Sequence, residues 1–277
     1  MARIVEPAPA KINLALHVRR RRADGYHDIE TLFAFLTDGD VLTAEEADRD
    51  SLALIGPFAA DLAGEGNLVT AARDAFAAMF GPIAPLAVTL DKRLPVASGI
   101  GGGSADAAAM LRVLARRHGV AIDDPTLLDC AARLGADVPA CLIGRPAIGT
   151  GVGADLHLLD GLAGLSVLLV NPGIALSTAA VFRAWDGIDR GGLASDDPLA
   201  AALAGRNDLE PAARALVPAI DDVLAALAAA PGAMLSRMSG SGATCFALFE
   251  DRGACGVAAA GLRATRPDWW LLESALA

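Results

Sequence analysis

Four of the five residues from Gly99 to Gly103 are glycines, and this cluster constrains the fold more than any other feature of the sequence. It is followed by Ser104 and by an alanine-rich run that is typical of a helix. Glycines that open a helix can turn several backbone N–H groups toward one anion, because no Cβ atom blocks close approach and the helix N-terminus carries partial positive charge. The cluster therefore predicts a cradle for phosphate.

Several protein families use glycine-rich phosphate loops, and three of the known types fit poorly here. A P-loop requires a Gly-Lys dipeptide, which the sequence lacks. The His-Arg-Asp and Asp-Phe-Gly signatures of protein kinases are also missing from the sequence. A dinucleotide fingerprint requires glycine where Ser104 stands and an opening strand before it. A purely structural glycine turn stays open as an alternative.

Composition limits the classes of function. The 277 residues are 54% hydrophobic, which suffices for one large or two modest globular domains. A net charge of −10 argues against a nucleic-acid partner, although local N–H groups can still hold a small anion. The apolar stretches are short and no signal sequence is visible, so we expect a cytoplasmic protein without a membrane partner. The cysteine spacing favours free, buried thiols at Cys130, Cys141, Cys245 and Cys255.

Alternating polarity predicts a strand at residues 11–18, with Lys11 and Asn13 on one face. Further strands are predicted at residues 30–36, 41–44, 51–55, 85–90, 140–148, 165–170 and 269–272, with more between 232 and 250. Helices are predicted at residues 67–80, from the glycine cluster to about 117, at 124–135, from about 177, at a capping box formed by Asn207 and Glu210, and after 250. This mixture indicates an α+β chain with two lobes, residues 1–170 and 171–277.

Phosphoryl transfer needs a group that orients or deprotonates the acceptor and a cation near the developing charge. Asp137 lies between Gly135 and Pro139 in an apolar stretch, so its carboxylate is either a base or a structural ion-pair partner. Lys11 is the candidate cation, since the chain holds only two lysines among its 23 Lys and Arg residues. We interpret the other lysine, Lys92, as a solvated charge at a strand end.

Tyr26 is the only tyrosine, and it adjoins His27 in a turn that follows a glycine. An exposed aromatic side chain beside a histidine can stack on a planar base and hydrogen-bond to it. A surface corner without a ligand is the alternative.

Residues 95–108 resemble the ATP-binding motif of the GHMP small-molecule kinases, and residues 238–244 resemble their C-terminal glycine motif. The stretches 9–18, 22–27, 31–33 and 135–139 are similar to the branch of this family that acts on a cytidine-diphosphate-linked sugar alcohol. The similarity runs from Pro9 to about Phe249. It implies a two-lobed α+β fold with a ribosomal S5 domain 2-like N-terminal lobe and a ferredoxin-like C-terminal lobe.

The resemblance implies an ATP-dependent kinase of non-mevalonate isoprenoid precursor biosynthesis, which phosphorylates the 2-hydroxyl of the cytidine-diphosphate-linked methylerythritol and releases ADP. Asp137 would be the base and Lys11 its cationic partner, with Asn13 holding the acceptor alcohol. The cytosine would be enclosed by Tyr26, His27 and Phe182, with Phe33 nearby.

The resemblance also assigns the ATP site. Asn67 would lie near the adenine, and the phosphates would be wrapped by Pro95, Val96, Ala97, Ser98, Gly99, Ile100, Gly101, Gly102, Gly103, Ser104 and Ala105. Because no second carboxylate is evident for Mg²⁺, we expect the metal to be carried mainly by the nucleotide, with no protein metal site. The oligomeric state is not predicted.

Two positions depart from the family pattern. Ile100 replaces the usual leucine, which conserves volume, and Ala154 stands where a glutamate is frequent. The alternatives are a homoserine or mevalonate kinase of the same family and a non-catalytic nucleotide-binding protein with the same fold. The cytosine-reading residues argue against the first, and the presence of both Lys11 and Asp137 argues against the second.

Overall fold

In residues 3–62, 66–195 and 197–277, which the computed structural model describes, the chain forms ten strands and nine α-helices. The strands are β1 (Ile4–Arg21), β2 (His27–Glu46), β3 (Ser51–Ile55), β4 (Leu86–Asp91), β5 (Ala147–Thr150), β6 (Asp155–Leu158), β7 (Ser166–Asn171), β8 (Ala233–Met238), β9 (Cys245–Phe249) and β10 (Trp270–Ala275). The helices are α1 (Leu68–Phe80), α2 (Gly102–His118), α3 (Pro125–Leu134), α4 (Val138–Ile143), α5 (Thr178–Ala184), α6 (Pro198–Ala204), α7 (Glu210–Leu216), α8 (Ala219–Ala228) and α9 (Arg252–Thr265).

Capping residues in the sequence predicted the ends of α1 and the start of α3 correctly. The Asn67 side chain accepts a hydrogen bond from Val69 N at the start of α1, and Gly81 ends that helix. Asp124 caps α3 in the same way, by accepting from Thr126 N. These confirmed predictions rest on short-range chemistry, since an Asn or Asp side chain satisfies N–H groups that the first helical turn leaves without partners.

Strand β2 is longer than predicted, because the two expected strands at 30–36 and 41–44 are one. Between them lies Gly39, where a Cβ atom would come within 2.2 Å of the Ala8 carbonyl oxygen of β1. Only glycine allows the two backbones to approach this closely. The polar run Thr37 to Asp40 therefore continues as strand.

The strand predicted at 140–148 is wrong in its first half, where the chain forms α4 instead. Pro139 lies in the first turn of this helix, where its fixed backbone angle is favourable, and Gly144 ends the helix with a φ of +65°. The apolar run is thus a short buried helix followed by β5.

The capping box predicted at Asn207 and Glu210 is also wrong. Helix α7 begins after Leu209, and the Asn207 amide instead donates to the carbonyl oxygens of Met238 and Gly240, both over 2.8 Å. Glu210 accepts from Met238 N over 3.1 Å. Asn207 Oδ1 does accept locally, from Leu209 N over 3.0 Å. The Glu210 carboxylate, which a capping box would turn back to Asn207 N, bonds to a tertiary partner instead.

The chain divides into two compact units. The first unit consists of the described residues within 1–10, 38–96 and 101–144. In it, β4 pairs antiparallel with residues 41–46 of β2 and parallel with β3. Helices α1 to α4 belong to this unit, and the alanines at 107–109 of α2 are fully buried.

The second unit consists of the described residues within 11–37, 97–100 and 145–277. Its antiparallel sheet has the order β10-β7-β9-β8, and residues 31–33 of β2 pair with β5, which pairs with β6. The core beneath the sheet includes Leu168, Val170 and Phe249. The division of the chain into lobes at residues 1–170 and 171–277 stays a prediction.

Lys92 is not the solvated charge that its position at a strand end suggested. Its side chain is 1% exposed, and Nζ donates to Asp40 Oδ2 over 2.5 Å and to Asp106 Oδ2 over 2.7 Å. Asp40 Oδ1 also accepts from the backbone N–H of Arg93 and of Leu94. Burial raises the pKa of Asp106 to about 7, an effect that the positive charge of Lys92 opposes.

All four cysteines are buried and free, as predicted. None of the helices in the described part of the chain is both long and apolar enough to cross a membrane.

We expect Lys92→Met to lower the free energy of unfolding by about 3–5 kcal/mol, because two buried carboxylates lose their counter-charge. Urea denaturation followed by circular dichroism measures the change. Arg93→Met is the matched control, since the exposed Arg93 side chain pairs with Asp91 at the surface and its loss should cost less than about 1 kcal/mol. Equal losses in the two variants would contradict the role given to Lys92.

Candidate active site

Lys11 projects from β1 into a buried setting. The residue is 2% exposed, its Nζ donates to Asn13 Oδ1 over 3.0 Å, and it lies 5.2 Å from the centre of the Phe33 ring. The amide oxygen and the face of the ring both carry partial negative charge, so they stabilise the ammonium group. These two contacts hold Lys11 Nζ at a fixed point.

A short hydrogen-bond chain orients the Asn13 amide. Asn13 Nδ2 donates to Thr31 Oγ1 over 2.7 Å, and Thr31 Oγ1 donates to the Ala15 carbonyl oxygen over 2.7 Å. Since Thr31 is fully buried, the amide cannot flip without leaving a polar atom without a partner. Thr31 was not predicted as a site residue, although it lies in the motif at 31–33.

Within the second unit, the Ser239 hydroxyl joins β1 to the glycine loop. It accepts from Asn13 N over 3.2 Å and donates to the Gly99 carbonyl oxygen over 2.9 Å. A further backbone bond runs from Lys11 N to the Ile100 carbonyl oxygen over 3.0 Å. The strand that carries Lys11, the first half of the glycine loop and the C-terminal glycine motif therefore have fixed positions relative to one another.

Gly99 is required by both conformation and space. Its φ is +80°, and a Cβ atom there would lie 2.5 Å from the Ser239 carbonyl oxygen and 2.8 Å from Gly242 N. Two residues earlier, Ala97 also has a positive φ, of 51°, which is uncommon for a residue with a Cβ atom. The loop is thus held in a tight path against residues 239–242.

The second half of the glycine loop belongs to the first unit, where it opens α2. Gly101 adopts a left-handed conformation with a φ of +67°, and as a glycine it has no side chain with which to cap the first turn of the helix. A Cβ atom on Gly102 would lie 3.0 Å from Lys92 Nζ, and one on Gly103 would lie 3.2 Å from Leu68 Cδ1. The uncapped N–H groups of a helix of 17 residues can bind an anion.

Asp137 also belongs to the first unit, where it occupies the residue before α4. Its backbone is helical, with a φ of −85°, and its carboxylate is not used to cap that helix. The side chains that follow it, Val138 and Pro139, are buried. The backbone position of the half-buried Asp137 is therefore fixed by the helix that follows it and by its buried neighbours.

His27 and Phe182, both in the second unit, lie in direct contact. Their ring centres are 4.9 Å apart, and the centres of the His27 and Trp185 rings are 5.7 Å apart with the two rings nearly perpendicular. Burial, and secondarily the charge of Arg21, lowers the pKa of His27, so the ring is neutral at neutral pH. Tyr26 is 63% exposed, as predicted. Trp185 was missed because no local pattern singles it out.

A pocket of about 470 Å³ in the first unit includes Asn67 in its lining. Leu52, Leu54 and Leu62 supply apolar wall, while Asn67, Thr70 and Asp74 supply polar groups. One apolar wall with a few polar groups is the usual lining of a small-molecule site.

The structure distributes the predicted site residues between the two units. Lys11, Asn13 and Phe33 lie together in the second unit, which also holds Tyr26, His27, Phe182 and residues 97–100. The first unit holds Asn67, Pro95, Val96, Asp137 and residues 101–105. Among the described residues, no group of three or more His, Cys, Asp or Glu side chains could hold a metal ion.

Comparison with known proteins gives consistent matches over the whole chain. Residues 67–145 match the GHMP kinases N terminal domain, and residues 193–265 match the GHMP kinases C terminal family. The chain is 59% identical to a 4-diphosphocytidyl-2-C-methyl-D-erythritol kinase of Rhizorhabdus wittichii, over 98% of this chain and 94% of the relative. It is 52% identical to a kinase of the same name from Sphingopyxis alaskensis, over 96% of each chain.

Solved structures give the same result. A crystal structure of 4-(cytidine 5'-diphospho)-2C-methyl-D-erythritol kinase matches with a TM-score of 0.82 and 35% identity, over 99% of each chain. A homoserine kinase from Cytophaga hutchinsonii matches with a TM-score of 0.75 and 20% identity, over 100% of this chain and 95% of the other. The second likeness shows a shared fold.

We expect Gly99→Ala to lower the free energy of unfolding by about 2 kcal/mol or more beyond the cost of a positive φ alone, because its Cβ atom would collide with Ser239. The matched control is Gly187→Ala, where φ is +82° and a Cβ atom meets nothing within 4 Å. Urea denaturation of both variants separates steric overlap from backbone strain. Equal destabilisation would contradict the tight packing inferred for the loop.

Proposed function

The chain belongs to the GHMP kinases, and we propose that it transfers the γ-phosphate of ATP to the 2-hydroxyl of 4-diphosphocytidyl-2-C-methyl-D-erythritol, giving the 2-phosphate and ADP. The observation that carries the proposal is the identity to kinases of that substrate over nearly the full chain. Such a reaction belongs to non-mevalonate isoprenoid precursor biosynthesis.

We assign the ATP phosphates to the glycine loop, residues 95–105. The uncapped N-terminus of α2 provides N–H donors and partial positive charge, and the glycines let phosphate oxygens approach the backbone. Ile100 in place of leucine leaves this assignment intact, because its side chain is fully buried and its carbonyl oxygen bonds to Lys11 N. The loop thus binds charge with backbone atoms, which explains how an acidic protein can hold ATP.

We assign the adenine to the pocket beside Asn67. Three leucines can pack against a planar base, while the polar side chains opposite can hydrogen-bond to its edge. Asn67 Oδ1 is already used to cap α1, so its remaining amide N–H groups are the ones free to meet a ligand.

For the transfer itself, we assign Asp137 as the base that takes the proton of the attacking hydroxyl. Lys11 then supplies the positive charge that favours the alkoxide as it forms. Asn13 holds Lys11 in place and can offer its second amide N–H to the acceptor alcohol. Lys11 and Asn13 thus act by position and charge, which supply most of the catalysis in phosphoryl transfer, while Asp137 accepts the proton.

We assign the cytosine to the surface formed by Tyr26, His27 and Phe182. The exposed Tyr26 ring can stack on a pyrimidine, and the neutral His27 ring can hydrogen-bond to the base edge. Phe33 contributes indirectly, through its contact with Lys11.

Mg²⁺ would neutralise charge that develops on the phosphates during transfer. The described residues offer no group of three or more His, Cys, Asp or Glu side chains for a metal ion, and we propose that the nucleotide carries most of the metal coordination.

The test of this function is an ADP-release assay with the cytidine-diphosphate substrate, homoserine and mevalonate presented in parallel. We expect release of ADP with the first substrate and none above background with the other two. Release with homoserine or mevalonate alone would assign the chain to another GHMP activity.

We expect Asp137→Asn to bind ATP normally and to lose about three orders of magnitude in kcat, since the amide cannot accept the hydroxyl proton. Asp129→Asn is the matched control, because Asp129 is exposed on α3 and pairs with Arg133 at the surface. Steady-state kinetics and ATP titration by calorimetry measure the two properties. Turnover near the normal rate in Asp137→Asn would remove Asp137 from the mechanism.

Thr70→Trp should raise the KM for ATP roughly tenfold and leave the KM for the cytidine substrate unchanged, because the exposed indole would fill the pocket beside Asn67. Thr126→Trp places the same side chain at an exposed site in the first turn of α3 and serves as the control. If Thr70→Trp left the KM for ATP unchanged, the adenine would have to bind elsewhere.

A further inference from the structure

Arg21, at the end of β1, holds two parts of the cytosine surface at once. Its Nε donates to His27 Nε2 over 3.3 Å, and its Nη2 donates to the Arg183 carbonyl oxygen over 3.3 Å. Arg183 follows Phe182 in α5. One guanidinium group therefore fixes both the His27 ring and the helix that carries Phe182.

The contact with Arg21 determines which nitrogen of His27 carries the hydrogen. A guanidinium group has donors only, so His27 Nε2 must be the acceptor. In a neutral imidazole one nitrogen accepts and the other carries hydrogen. Because burial and the Arg21 charge lower the pKa of His27, the ring is neutral, and its hydrogen lies on Nδ1.

The rings around His27 prevent it from turning to present the other nitrogen. The plane of the Phe182 ring is inclined by 39° to that of His27, and the plane of the Trp185 ring is inclined by 83° to it. His27 is only 8% exposed. In the described part of the chain, the buried Trp185 Nε1 has no hydrogen-bond partner.

We propose that Arg21 is a positioning residue that makes the site select cytosine over uracil, by fixing His27 as an Nδ1–H donor to N3 of the base. N3 of cytosine is an acceptor, whereas N3 of uracil carries hydrogen and would place a donor against a donor. This inference rests on the proposed function, in which the cytosine lies at His27. A site that pairs with one substrate group discriminates strongly against an analogue that cannot pair.

The test compares the cytidine-diphosphate substrate with its uridine-diphosphate analogue in the full chain. We measure kcat and KM for both, and the Kd of CDP and UDP by calorimetry. The variants are Arg21→Met, which removes the donor, and Arg21→Lys, which keeps a group that can only donate. Arg20→Met is the control, since the exposed Arg20 pairs with Asp28.

In the unsubstituted protein we expect a preference for cytidine of at least about tenfold, the effect of one hydrogen bond to a fixed donor. Arg21→Met should reduce that preference roughly tenfold by raising the KM for the cytidine substrate, with little change in kcat. Arg21→Lys and Arg20→Met should retain the preference. A general loss of structure would weaken the binding of both substrates alike and leave the preference for cytidine over uridine unchanged.

The tautomer can be read directly in the unsubstituted protein by ¹⁵N–¹H correlation of the histidine rings. The chain has only four histidines, and a His27→Asn variant assigns the signal of His27. We expect hydrogen on Nδ1 with Arg21 present and a mixture of tautomers in Arg21→Met.

The outcomes separate the two proposals. Hydrogen on Nε2 in the unsubstituted protein, or an unchanged cytidine preference in Arg21→Met, overturns the role of Arg21 while the kinase activity stands. No turnover of the cytidine substrate by the unsubstituted protein overturns the proposed function instead.

Discussion

The Ser239 hydroxyl is the contact on which the described part of the site most depends. It accepts from a strand N–H at Asn13 and donates to a loop carbonyl oxygen at Gly99, so one side chain satisfies two backbone groups of different elements. The bonded residues Asn13 and Ser239 are 226 positions apart in the sequence. Without this hydroxyl, the strand that carries Lys11 and the loop assigned to the ATP phosphates would lose the side-chain link between them and keep the backbone bond from Lys11 N to the Ile100 carbonyl oxygen.

This rigidity matters because phosphoryl transfer gains most of its rate from position and charge. Lys11 is held by an amide oxygen and an aromatic face, which orient its ammonium group. Thr31 contributes indirectly to the position of Lys11, because its hydroxyl accepts from the Asn13 amide that holds Lys11. In the first unit, Lys92 lies buried between Asp40 and Asp106, beside the glycines that open α2. Both lysines of the chain are therefore buried and held by specific contacts, Lys11 beside Asn13 and Phe33, and Lys92 beside the start of α2.

Sequence patterns predicted the helix caps, which depend on neighbouring residues, and missed the side-chain contacts between residues that are distant in the sequence. The caps at Asn67 and Asp124 were correct, because a cap and its N–H partner lie two residues apart. Lys92 was misread because its partner Asp40 lies 52 positions away. The contact of Arg21 with α5 spans 162 positions and has no local signal. The S5 domain 2-like and ferredoxin-like topologies of the lobes came from the family resemblance, since periodicity does not determine how strands are connected.

The central claim is that this chain places a phosphate on the 2-hydroxyl of the cytidine-linked methylerythritol. The most direct measurement is ³¹P NMR of the product formed with ATP, together with ¹³C–³¹P coupling to the methylerythritol carbons. We predict one new phosphomonoester signal coupled to carbon 2, with the diphosphate bridge intact. A phosphate on another hydroxyl, cleavage of the bridge or no new phosphomonoester would contradict the claim.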